Sequence, residues 1–285
     1  MSRLFGLNAI TAAPGVHDPL TARIAERAGH RALYLGGNAM ALGLGKGQPF
    51  ISLTETVQIT TRVTAQTSLP VLVDAGAGFG EPAHLHIAVR EIEAAGAAGL
   101  HIDDQPYPKR AAYHRGRGSL VTPDAMAMRL RTAVAARRDK QFAIIARTDA
   151  LRVSKSVDET LSRCAACIDA GADALMVLDL GLELAPQFRA AFPETPLVWI
   201  GGVAPPIPSL ADLERAGFAL ACYPFNGVAL IATGLADLWG GLARDGTIDQ
   251  SEETLARARE ETLAIVDMQR FWNIEDNQGD PNGTA

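Results

Sequence analysis

Along the whole chain, short apolar runs alternate with longer stretches in which apolar and polar residues recur at helical spacing. The runs are Arg31–Gly37, Pro70–Asp74, Gly99–Asp103, Phe142–Ala146, Ala174–Leu178, Pro196–Gly201 and Phe218–Tyr223. They lack a regular apolar–polar alternation, which suits strands covered on both faces and hence a parallel sheet clothed by helices. Helical patterns fill the gaps at Asp18–Glu26, Pro82–Ala95, Thr122–Arg138, Val157–Ala170 and Ser209–Ala216. Four helical stretches close on Ala-Gly, at Gly29, Gly96, Gly171 and Gly217. Glycine there marks a left-handed residue that ends a helix and turns the chain toward the next strand. An eighth run near Asn8–Val16 completes eight strand–helix repeats of about 36 residues each, the arithmetic of a (β/α)8 barrel. A doubly wound open sheet has the same periodicity, and the pattern alone does not separate the two. Beyond the last repeat, Glu252–Trp272 is helical in pattern and Asp276–Ala285 is a polar tail. No low-complexity linker divides the chain, so residues 1–285 read as one barrel domain with a helical extension from about 252.

Composition narrows the function classes. A 285-residue chain that is 48% hydrophobic and 20% charged can fill a large core. Its net charge of −6 argues against nucleic acid or an anionic membrane as partner. No apolar stretch is long enough to cross a bilayer, and Met1–Phe5 does not open a signal peptide. Cys164, Cys167 and Cys222 are an odd number and suggest no disulfide framework. The expectation is a cytoplasmic enzyme or binding protein.

The candidate chemistry lies just after the runs, where a barrel carries its site. Gly36, Gly37, Asp74, Asp103, Asp104, Arg147, Asp149, Asp179 and Tyr223 all fall there. Carboxylates gathered in a small cavity suit a hard cation such as Mg²⁺, which takes oxygen ligands and keeps waters. An arginine beside them can grip a substrate carboxylate with two parallel hydrogen bonds. Together they suggest a small anionic substrate whose enolate-like intermediate is stabilised by the metal.

Several segments resemble one family. They are Asp74–Gly80 (Asp-Ala-Gly-Ala-Gly-Phe-Gly), His101–Arg110 (His-Ile-Asp-Asp-Gln-Pro-Tyr-Pro-Lys-Arg) and Ile144–Ala150 (Ile-Ile-Ala-Arg-Thr-Asp-Ala), with Pro14–Asp18 and Tyr34–Gly37 before them. In order and spacing they are similar to the signature segments of the isocitrate lyase/phosphoenolpyruvate mutase superfamily, over roughly Pro14 to Pro224. The resemblance implies a (β/α)8 barrel, a Mg²⁺-bound enolate intermediate, and a homotetramer whose C-terminal helix is exchanged between subunits.

Departures from the family pattern shape the expectation. Where the family has Asp-x-Asp, this chain has Asp74-Ala75-Gly76; its Glu-Asp-Gln is Asp103-Asp104-Gln105 here; and an acidic residue expected after Leu44 is replaced within Gly45–Gln48. Asp74 and Asp103 remain as metal ligands, with weakened or altered Mg²⁺ binding. The cysteine that serves the isocitrate and methylisocitrate lyases as acid/base is replaced within Lys109-Arg110-Ala111-Ala112-Tyr113-His114, which makes Tyr113 or His114 the candidate proton carrier. The backbone at Gly36 and Gly37, with Tyr34 and Arg147, is expected to bind the 2-oxo-acid portion, and Arg147 also to act in catalysis. After the later runs, Leu178 and Gly201-Gly202 stand where relatives carry polar side chains, which points to an unusual substrate. The leading expectation is a Mg²⁺-dependent carbon–carbon lyase acting on a 2-hydroxy or 2-oxo di- or tricarboxylate. The alternatives are a 2-oxo acid decarboxylase or phosphonopyruvate-type hydrolase or mutase, and a catalytically silent small-molecule binding protein. The basic run Lys109, Arg110, Arg115 and Arg117 reads as a mobile loop over an anionic substrate, and Cys164/Cys167 as helix core.

Overall fold

The computed structural model describes residues 3–5, 9–115 and 118–278, the side chains of His114 and Gln278 excepted. The eight expected runs form eight parallel strands that close on themselves in chain order: β1 (Thr11–Val16), β2 (Leu33–Leu35), β3 (Val71–Asp74), β4 (Gly99–Asp103), β5 (Ala143–Thr148), β6 (Ala174–Val177), β7 (Leu197–Ile200) and β8 (Phe218–Tyr223). Closure is made by β1 against β8, with Thr11 opposite Leu220 and Pro14 opposite Tyr223. That pairing rules out the open-sheet alternative. Between the strands run α1 (Pro19–Arg27), α2 (Gly37–Gly43), α3 (Leu53–Thr64), α4 (Pro82–Ala94), α5 (Pro123–Ala136), α6 (Ala150–Val153), α7 (Val157–Asp169), α8 (Ala185–Ala191) and α9 (Leu210–Arg215).

Local chemistry starts and stops these helices. Asp18, Ser52 and Ser209 each cap a helix by accepting from the third backbone N–H, with the side chain at that position reaching back. The four Ala-Gly pairs end α1, α4, α7 and α9, each glycine at a φ between 86° and 96°.

Two apolar layers result. Inward-facing Tyr34, Leu72, Ile145, Met176, Val198, Leu220 and Cys222 fill the barrel, with Leu4 and Phe5 in the same cluster; Leu4 packs near Gly99, where β4 begins. Outward-facing residues such as Leu33, Val71, Leu100, Ile144 and Leu175 join the helices in a larger cluster that includes Cys164 and Cys167. All three cysteines are buried and free.

The chain divides into two compact units, the barrel up to Val228 and a helical unit from Ala229. The helical pattern therefore begins well before residue 252, in α10 (Asn226–Asp245). The stretch expected as one helix is two, α11 (Glu252–Ile265) and α12 (Met268–Gln278), interrupted at Asp267, whose φ is 56°. In the second unit Leu230, Leu235, Trp239, Phe271 and Trp272 are exposed. Among the described residues, no helix is long and apolar enough to cross a membrane.

Candidate active site

At the carboxyl ends of the strands lies a cavity of about 710 Å³ in the barrel unit. Tyr34, Gly36, Gly37, Gln48, Asp74, Tyr113 and Arg147 line its polar end; Leu178, Leu180, Trp199, Ile200, Pro206 and Phe225 line the β6–β8 side.

Asp74, the last residue of β3, is held from both sides. Its Oδ2 accepts the Gly37 N–H at 3.0 Å and its Oδ1 the Gly76 N–H at 2.8 Å. Gly76 sits at φ 54°, a left-handed turn that folds its N–H back onto the carboxylate. Burial raises the Asp74 pKa, but the charges of His101, Lys109 and Arg147 and the Gly37 N–H outweigh it and keep the carboxyl well below its ordinary range. The Gly37 N–H, expected to meet substrate, is thus committed to Asp74.

His101 projects from β4 into the barrel, fully buried. Its Nε2 lies 2.8 Å from Tyr34 Oη and 3.6 Å from Asp74 Oδ1, and the two rings stack with centroids 5.8 Å apart. Burial lowers the His101 pKa to about 4, more than the Asp74 carboxylate raises it, so the imidazole is neutral near pH 7. Burial, then Asp74, pushes the Tyr34 phenol well above its ordinary value. This Tyr34–His101–Asp74 chain was not assembled by sequence reasoning. His101 falls between apolar neighbours in a buried strand, and only its place in the family-like segment drew attention to it.

Arg147, near the end of β5, is gripped by Asp149, with Nε to Oδ1 at 2.9 Å and Nη2 to Oδ2 at 3.3 Å. Gln105 Nε2 and Tyr113 Oη also donate to Asp149 Oδ2. Burial disfavours the guanidinium charge, but Asp149 and Asp103 restore it and leave Arg147 more firmly protonated than usual. Asp104 stands behind this cluster: it accepts from Thr148 Oγ1 at 2.6 Å and the Asp149 N–H at 2.9 Å, with Arg163 Nη1 3.5 Å away. Burial raises its pKa to about 6.

Tyr113 lies in a short 3-10 helix, Ala111–Arg115, and reaches the cavity; the Arg152 guanidinium sits 6.0 Å from its ring centroid. Burial and Asp149 push its phenol above the ordinary value, so it is a protonated donor. The His114 side chain lies outside the described residues, as does Arg117. Lys109, expected on a loop over an anionic substrate, turns inward: its Nζ forms an ion pair with the wholly buried Asp103, while Asp103 Oδ1 has no hydrogen-bond partner. Arg152 pairs instead with Asp179 at 2.7 and 2.6 Å.

Among the described residues, no three His, Cys, Asp or Glu side chains come together as a ligand cluster. Mg²⁺ nevertheless needs only one or two carboxylates when waters and substrate oxygens complete its shell. Asp74 and Asp103 both act on Arg147 and His101, so they share one neighbourhood, and Asp103 Oδ1 is a buried acceptor without a donor. At this end three carboxylates (Asp74, Asp103, Asp149) face two cations (Arg147, Lys109), a negative excess that a divalent ion reverses. The residues fit a weakly held hard cation.

Fold and site together define a (β/α)8 barrel whose strand-end cavity presents an arginine fixed by an aspartate, buried carboxylates and a tyrosine–histidine pair. The family model for phosphoenolpyruvate phosphomutase matches residues 5–235. The chain is 30% identical to a 2,3-dimethylmalate lyase of Eubacterium barkeri over 97% of its own length and 96% of the relative's. It is 34% identical to a 2-methylisocitrate lyase of Escherichia coli (strain K12), over 90% and 87%. A crystal structure of 2,3-dimethylmalate lyase superposes with a TM-score of 0.84 at 27% identity, covering 95% of this chain and 94% of that one. The chain belongs to the isocitrate lyase/phosphoenolpyruvate mutase superfamily, and within it to the carbon–carbon lyases.

Proposed function

We propose that the protein cleaves the C2–C3 bond of a 2-hydroxy dicarboxylate whose distal part is apolar, releasing a 2-oxo acid and a second carboxylate. The observation that carries this reading is the division of the cavity. Its polar end holds Arg147, Tyr34 and Asp74, whereas Leu178, Trp199, Ile200 and Phe225 form the opposite side, with Asp179 there closed off in its ion pair with Arg152. Among the described residues, the cationic side chains lining it are Arg147 and Arg152, each already paired with an aspartate. A third carboxylate placed against the β6–β8 side would be desolvated without a free cation, which costs several kcal/mol. Gly201 supports this wall: a Cβ there would lie 2.4 Å from the Trp199 ring, so a side chain at 201 and this indole position exclude each other. The absence of a side chain at 201 thus makes room for the indole.

In this reading Arg147, oriented by Asp149, receives the 1-carboxylate of the substrate. Tyr34 Oη takes the 2-hydroxyl proton as its own proton passes to His101 Nε2, and the imidazolium that forms is countered by Asp74 at 3.6 Å. The C2–C3 electron pair leaves with C3, spreading into its attached carboxylate, while C2 becomes the carbonyl of the 2-oxo acid. Tyr113 returns a proton to C3 and is reprotonated from solvent, and the His101 imidazolium gives its proton back to solvent through Tyr34, which lines the cavity. Asp74 and Asp103 would hold Mg²⁺, which when bound supplies positive charge for the oxygen at C2. The test is turnover across 3-alkylmalates, isocitrate and 2-methylisocitrate, followed by release of 2-oxo acid. The alkylmalates are expected to be cleaved at a kcat/KM at least about tenfold above either tricarboxylate. Preference for a tricarboxylate would overturn the assignment.

A further inference from the structure

We propose that the Lys109 ammonium is the resident cation of the metal-free site and competes with a divalent ion for Asp103, so that metal entry requires Lys109 to leave. The proposal rests on Asp74 and Asp103 as the carboxylates of the cation site and is independent of which substrate is cleaved.

Three observations place Lys109 there. Its Nζ pairs with an Asp103 carboxylate that is 0% exposed, and the lysine side chain itself is only 11% exposed. Its charge is also felt by Asp74, on the neighbouring strand. And its stem runs over Gly76: a Cβ built at that glycine would lie 3.5 Å from Lys109 Cε and 3.6 Å from Nζ. By the resemblance drawn from the sequence, position 76 corresponds to the second acidic residue of the family's Asp-x-Asp pattern. Here the absent carboxylate leaves open the path by which the lysine enters. Glycine at 76 thus brings no carboxylate of its own, and the lysine stem packs over it.

The electrostatic consequence follows from charge and distance. Mg²⁺ or Mn²⁺ coordinates carboxylate oxygen at about 2.0–2.2 Å. An ammonium already on the same buried carboxylate repels it strongly, because screening is weak there. The two are alternative partners of Asp103. When a divalent ion takes Asp103, the freed ammonium is available to a substrate carboxylate. The polar end then changes from a net negative to a net positive site only when the ion arrives.

Two measurements on the full chain test this without substrate. In the first, Mn²⁺ binding to metal-stripped protein is followed by electron paramagnetic resonance. Lys109→Met is expected to bind Mn²⁺ at least about tenfold tighter than wild type, and Asp103→Asn in that background to lose the gain. Equal or weaker binding by Lys109→Met overturns the proposal. The second needs no variant: Lys109 in wild-type protein is reacted with an amine-selective reagent and quantified by mass spectrometry. Little labelling without metal and a clear increase at saturating Mg²⁺ are expected. Labelling that is unchanged or reduced by Mg²⁺ contradicts the exchange. Neither readout depends on turnover, so failure of the substrate assignment would leave both results standing.

Discussion

Tyr34 and His101 illustrate how a site residue can look like core. Both are fully buried and belong to the apolar interior by every packing measure, yet their polar atoms meet at 2.8 Å beside Asp74, and Tyr34 lines the cavity. If they move the hydroxyl proton, Tyr34→Phe removes the oxygen that receives it. A fall in kcat of about 100-fold or more is expected, measured under saturating substrate with KM changing far less. His101→Gln should act in the same direction. The pH profile follows from the shift on His101: its folded pKa, lowered by burial to about 4, keeps the accepting form present at neutrality. For wild type, the loss of kcat/KM that belongs to His101 should come only as pH falls through about 4, separate from any step near 6 at which Asp104 takes up a proton. The same depressed value means that the unfolded chain takes up this proton first. Its contribution to stability is therefore present above 6.5 and is lost as pH falls toward 4. A collapse near 6.5 that persists in Asp104→Asn would remove His101 from the relay.

Strand ends and the turns after them do the positioning. Asp104 ties the end of β4 to the turn after β5 through Thr148 and the Asp149 backbone, and Asp149 in turn orients Arg147. Arg129 donates to the carbonyls of Asp103 and Gln105 at 3.3 and 2.7 Å and fixes the base of the loop that carries Lys109 and Tyr113. Much of this was legible as a list: Asp74, Asp103, Asp104, Arg147 and Asp149 follow buried runs, and a barrel places such residues at one face. Which aspartate pairs with which cation was not legible, because Lys109 and Asp103 meet through a turn whose path no local periodicity encodes. The β6–β8 side was visible only as polar residues missing; there the structure places Leu178, Trp199 and Ile200, beside the Arg152–Asp179 ion pair. Ile200, at the end of β7 and partly exposed to the cavity, is the position at which to rewrite it. Ile200→Arg should move the ratio of kcat/KM values toward isocitrate and away from 3-alkylmalates by about tenfold or more. An unchanged ratio would mean that the distal group does not lie on this wall.

At the scale of the whole molecule, the barrel was written in the chain more clearly than its chemistry. Buried parallel strands must be apolar on both faces, and Ala-Gly helix ends recur with the repeat, so the element order could be read directly. Closure could not, since β1 pairing with β8 joins segments some two hundred residues apart, and an open sheet would have carried the same runs. The interruption at Asp267 also escaped the pattern, because the residues on both sides keep helical spacing. What the closed barrel contributes is a rigid rim on which Arg147, Asp74, Tyr34 and Tyr113 converge on one cavity although they are far apart in sequence. The central claim is that this cavity breaks a carbon–carbon bond and reprotonates the departing carbon. Nuclear magnetic resonance of the products formed from a 3-alkylmalate in D₂O with Mg²⁺ tests it most directly. The account predicts equal amounts of a 2-oxo acid and a carboxylate that carries one deuteron at the carbon next to its carboxyl group. Release of carbon dioxide in place of that carboxylate, or recovery of the malate uncleaved, would contradict it.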